Sequence, residues 1–153
     1  MTSRSSLCLL IVLCIVTPVA NSQNSPNVCV KHIVSPLRYP PIARQARIQG
    51  TVVAKLRVGA DGTVQQVNIL TDDLLLRAHP ILQSETEKIV RQWTFECSGC
   101  ASPEFEHTVR FTYRLEGEDS QYDTSKVTMD LPTEVIITTA PPVCDHCPAK
   151  EKR

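Results

Sequence analysis

The side chains best suited to chemistry in this sequence are thiols, and their spacing limits what they can do. Seven cysteines include two C-x-x-C pairs, Cys97/Cys100 and Cys144/Cys147, with Cys29 standing apart. In an oxidising compartment such pairs close structural disulfides, here pinning the tail beside the loop that follows Trp93 and leaving one thiol over. Four thiolates also suit tetrahedral zinc, with Cys97, Cys100, Cys144 and Cys147 as ligands and His146 as a substitute. Against zinc, the 43 residues between Cys100 and Cys144 exceed the usual ribbon spacing. A redox-active pair wants its first cysteine at a helix N-terminus, where the dipole lowers its pKa. Cys97 follows a helical pattern and Cys144 sits in a proline-bounded tail, so neither meets that condition. Disulfides are the reading the compartment favours, and no cofactor is required.

Other catalytic groupings do not assemble. His32, His79, His107 and His146 are scattered, no nucleophile stands at a useful spacing from a base, and there is no glycine-rich phosphate loop. The sequence does not read as an enzyme. Sixteen Lys plus Arg balance sixteen Asp plus Glu, so no bulk field draws the chain to nucleic acid or to anionic lipid. A length of 153 residues suits one compact domain with tails.

The N-terminus has the outline of a secretory signal over residues 1–22. Arg4 precedes the uncharged run Leu7 to Val16, which Thr17 and Pro18 interrupt before the small residues Val19 to Ser22. A membrane span needs about 20 apolar residues, so cleavage near Ala20 to Ser22 is expected. That places the mature chain in the periplasm or outside the cell. Retention as an inner-membrane anchor is the alternative, and only then would the chain contact a membrane. Residues 23–35 read as an extended leader with a short edge strand at Val28 to Val34.

The middle of the chain carries the elements that must position any working surface. Pro40 and Pro41 open a short helix in which Ile42, Ala43 and Ala46 share a side, and Gly50 ends it. Thr51 to Val58 alternates as a strand, and Asp61-Gly62 predicts a tight primed turn into a partner strand from Thr63 to Leu70. Alternation there breaks between Gln65 and Gln66, which predicts a β-bulge. After a turn at Thr71 to Asp73, Leu82, Thr86, Ile89, Val90 and Trp93 fall on one face of a helix of three to four turns. Trp93 and Phe95 supply the largest core side chains. Val109, Phe111, Tyr113 and Leu115 alternate with Arg110, Thr112 and Arg114 in a third strand from Glu106. Beyond it, residues 116–153 form an extension in which Lys126 to Leu131 and Glu134 to Thr139 have strand character.

In order and spacing, Tyr39-Pro40, the Ala43 and Ala46 helix, Gly50, the strand, Asp61-Gly62, Val64, Val67, Ile69 and Trp93-Thr94-Phe95 resemble the TonB C-terminal domain. The similarity covers Ser35 to Leu115, with the domain itself at 36–115. It implies an α+β fold: a small antiparallel sheet of about three strands with two helices packed on one face. It also implies a periplasmic module that captures an extended segment of an outer-membrane transporter or other envelope protein by strand addition, linked to TonB-dependent transport. The implied receiving edge is Val109, Arg110, Phe111, Thr112, Tyr113 and Arg114, and Tyr39 and Pro40 match the opening motif. An unpaired strand edge would support that mode on physical grounds, and would also allow a homodimer through sheet edges. The alternative is a structural envelope protein, stapled by disulfides or zinc, whose edge is closed by its own tail.

Overall fold

The computed structural model describes residues 27–33 and 36–143. The expected signal segment, Cys144, His146 and Cys147 lie outside the described residues. Ten elements follow in order: β1 (Asn27–His32), α1 (Pro41–Gln45), β2 (Gly50–Val58), β3 (Val64–Leu70), α2 (Leu74–Ala78), α3 (Ile81–Val90), β4 (Thr94–Ser98), β5 (Phe105–Leu115), β6 (Lys126–Asp130) and β7 (Glu134–Thr139). The fold is α+β, with helices packed on a sheet.

The sheet is larger than the expected three strands, and it is mixed rather than antiparallel. Its order is β3-β2-β5-β7-β6, and β1 and β4 form a separate two-stranded ribbon. The strand pattern of the extension was legible, and both of its segments joined the main sheet. Among the described residues three helices form, not two. The additional one, α2, arises because the Asp73 carboxylate accepts from the amides of Leu75 and Leu76 and caps a short turn that buries Leu76.

The β2–β3 hairpin holds, but its turn differs from the two-residue form. Gly59 N–H donates to Thr63 O, and of the intervening residues only Gly62 has positive φ, at 81°. Asp61 instead accepts from the Thr63 amide and hydroxyl, so a three-residue loop is held by a local carboxylate contact. The bulge falls where alternation broke. Arg57 pairs with Gln66 and Val58 with Val64, leaving Gln65 as the extra residue.

One face of the sheet carries the core. Val52, Ala54, Leu56, Val109, Phe111, Tyr113, Val135 and Ile137 are buried under Leu82, Ile89, Val90 and Trp93. Trp93 lies past the end of α3, where its ring meets Phe95 and Phe111. In α1 the buried residues are Ala43 and Arg44, whereas Ile42 is 66% exposed. That helix therefore packs through a different face from the one its apolar letters suggested. It ends at Gln45, and Arg47, at φ 53°, makes the turn that was assigned to Gly50.

Candidate functional site

The surface at issue is β5. Alternation buries Val109, Phe111 and Tyr113, so these three contribute only backbone to any edge contact. Arg110 and Arg114 are exposed and Thr112 is half-buried on the opposite, open face. One flank of β5 pairs antiparallel with β2 from Gly50↔Tyr113 to Val58↔Phe105. The other flank, which the sequence comparison suggested as open, carries β7 in parallel register from Arg110↔Glu134 to Leu115↔Thr139. Arg110 N–H donates to Thr133 O at one end of this ladder, and Glu116 N–H to Thr139 O at the other.

The path of the extension is unusual in its order. The chain leaves β5, lays β6 one position further out, and then returns with β7 to fill the slot between them. Val135, Ile137 and Thr139 are buried there, so the inserted strand completes the core as well as the ladder. The slot is closed on both sides by backbone pairing.

Residues around the opening motif hold this extension. Arg44 is only 9% exposed, and its guanidinium donates to the carbonyls of Ala140 at 2.8 Å, Ser120 at 2.5 Å and Tyr122 at 2.9 Å. Its neighbour Arg47 donates to Pro142 O and pairs with Asp119 at 3.2 Å. Tyr39 N–H donates to the Ser125 hydroxyl. A planar fork of donors is well matched to several carbonyls at once, which a lysine is not. Burial of the Asp123 carboxyl works against its ionisation. Hydrogen bonds from Ser125 and Thr139, and the charge of Arg44, outweigh burial and hold it below the usual carboxylate range. Nothing in the family-like pattern signalled Arg44 or Arg47, because their partners all lie in the extension.

Tyr39 and Pro40 are both buried, so their side chains do not present a partner surface. Tyr39 and Tyr113 do come together: their rings meet edge to face at 5.6 Å, Tyr39 donates to Ile48 O at 2.6 Å, and the Tyr113 hydroxyl bonds to Thr86. Burial pushes the Tyr39 phenol above its ordinary range, with Tyr113 adding to the effect. Burial does the same to Tyr113, only partly opposed by the Thr86 bond.

The cysteines resolve differently from the staple first drawn. Cys97 is bonded to Cys100, closing a short loop instead of pinning the tail, and Cys29 is free and exposed. In this structure the Cys97–Cys100 pair is closed on itself, while the other two zinc candidates, Cys144 and Cys147, lie outside the described residues. The tail leaves the sheet past Thr139, beside Leu115, whereas the disulfide lies near the hairpin end, where Phe95 N–H donates to Gly62 O. A cleft of about 530 Å³ beside the disulfide is lined by Lys31, Asp61, Phe95 and Phe105 and gathers no catalytic grouping. His107 bonds Pro132 O through Nε2, and among the described residues no three His, Cys, Asp or Glu side chains converge as a metal site.

A hairpin, a helix over its inward face and a closing strand make up the middle of the chain. The family described as the Gram-negative bacterial TonB protein C-terminal matches residues 35–115, just over half of the chain, and the chain belongs to that family. No characterised protein shows significant similarity to the chain. Membership of the family makes this chain a TonB-like periplasmic protein-interaction module linked to transport. Among the described residues, no helix is long and apolar enough to cross a membrane.

Proposed function

We propose that the module receives an extended segment of an outer-membrane transporter or other envelope protein by strand addition to β5, along Val109 to Arg114. The observation that carries this reading is β7 itself. Six consecutive residues of the chain already lie along that flank as a parallel strand, so its geometry suits an extended guest. In the slot, alternate Val135, Ile137 and Thr139 enter the core while Glu134, Ile136 and Thr138 face outward. A guest would need the same alternation of β-branched residues, and β6 and β7 would have to leave together for it to enter.

A second reading is favoured by the same burial. Val135 and Ile137 have no exposed surface, and the Arg44 contacts tie the connecting loop to α1. On this reading β7 is a permanent strand, and the protein is a structural envelope module closed by its own tail. One titration separates the two. Extended N-terminal peptides of outer-membrane transporters are added to the mature full chain and to its Arg44→Ala variant, and backbone amide shifts are followed. Strand addition predicts shifts at Val109 to Leu115 with tighter binding in the variant. Absence of shifts on that strand in both proteins rejects it and leaves the closed module.

A further inference from the structure

Filling the β5 slot leaves the main sheet with two outer strands, β6 and β3, and they differ in how they are protected. β6 is five residues long and carries Lys126 and Asp130 at its ends. β3 is seven residues, Val-Gln-Gln-Val-Asn-Ile-Leu, with no charge and no proline, and its only ladder partner among the described residues is β2. Edge strands are normally blunted by charge, proline, shortness or a bulge. Here the bulge at Gln65 protects one end only, and Gln66 to Leu70 is regular. Leu70, Leu74 and Leu75, exposed by 40%, 76% and 52%, continue the apolar surface at that end.

We propose that the chain forms a two-fold dimer through the outer edges of two β3 strands. The regular segment is self-complementary. With the two-fold axis at Asn68, antiparallel pairing sets Val67 of each copy opposite Ile69 of the other, twice, on the helix-covered face. Both are half-buried in the single chain, and the contact completes their cover. Asn68 meets its own copy on the open face, and Gln66 meets Leu70. An axis perpendicular to the sheet keeps the helices of both copies on one side and makes one continuous ten-stranded sheet. No like charges oppose each other anywhere along this register. A second copy is the occupant argued for because each half-covered side chain finds its complement on the same strand. This inference is independent of the β5 reading.

The test is sedimentation of the mature full chain over a dilution series, with two exposed-site variants. Asn68→Lys places two ammonium groups together at the axis and is expected to weaken association by about tenfold or more. Thr128→Lys makes the same change on β6 and is expected to leave association as in the unchanged chain. Circular dichroism confirms that both variants fold. A chain that stays monomeric at every concentration overturns the proposal, including the case in which β3 pairs with a foreign segment instead. An Asn68→Lys protein that dimerises normally, or a Thr128→Lys protein that loses dimers equally, overturns it too.

Discussion

Replacing Arg44 by Ala tests whether the extension is held by a latch or is inseparable from the core. Four guanidinium hydrogen bonds, to Ala140 O, Ser120 O, Tyr122 O and, at 3.5 Å, Pro141 O, are lost in one substitution. A hydrogen bond to a charged donor contributes about 1.5–3 kcal/mol, and a buried acceptor left without a partner costs about 1–3 kcal/mol. Three of these contacts are part-buried and the fourth is long, and water can reach the loops once the side chain is gone. We therefore expect a loss of about 3 kcal/mol, not the full sum. Confined to the extension, that is roughly a 100-fold rise in its opening equilibrium. Hydrogen exchange reads it directly: amides of β6 and β7 should exchange faster by that factor while those of β2 stay protected. Arg44→Lys keeps the charge without the planar fork and should fall between the two. Unchanged protection of β7 in Arg44→Ala would refute the latch. Equal loss of protection in β2 and β7 would show instead that the extension opens only with the whole domain.

Two further outcomes are expected from the hairpin and from the buried phenols. Gly62→Ala puts a Cβ against the Phe95 carbonyl at a residue held at φ 81°, so it should destabilise by more than about 2 kcal/mol in urea unfolding; a cost below 1 kcal/mol would mean that the β3–β4 approach yields easily. Tyr39 and Tyr113 have folded-state pKa values above the unfolded value, so their contribution is complete below the ordinary phenol range of about 10 and declines as pH rises above it. The urea midpoint should therefore drop between about pH 9 and 11, less steeply in Tyr39→Phe/Tyr113→Phe; an equally steep drop in that variant would place the alkaline sensitivity elsewhere.

Local chemistry was legible in the sequence where it decided the outcome within a few residues. The alternation of β2 and β5, the break at Gln65 and the stripe Leu82, Thr86, Ile89 and Val90 each read correctly because one buried face sets the period. Two misreadings arose where a side chain satisfied the backbone in a way periodicity does not express. Asp73 capped a helix at a place read as a turn, and Asp61 supported a longer loop than Asp-Gly suggests. Ile42, read as part of the packing side, is exposed, and Arg44 is buried in its helix because it finds carbonyls more than 70 residues away. No local pattern can encode such a partner. The sequence offered Val109 to Arg114 as an edge for the same reason: it showed β5 as a strand, but not which element would lie beside it.

That neighbour changes what the domain can do. Across the matched stretch, a three-stranded arrangement β3-β2-β5 would have β5 at its edge. The extension begins where the match stops, and its contacts reach back to Tyr39, Arg44 and Arg47, inside the matched stretch. Closure is thus built jointly by the two parts of the chain, with Val135 and Ile137 supplying the buried area and Arg44 supplying the polar hold. Hydrophobic burial is proportional to area and indifferent to direction, so it stabilises any strand of the right alternation in that slot. The arginine contacts are specific to these loops. If β5 receives a guest strand as proposed, that guest replaces the burial of β7 but not the hold of Arg44, so Arg44→Ala is expected to shift the balance from self-closure toward capture.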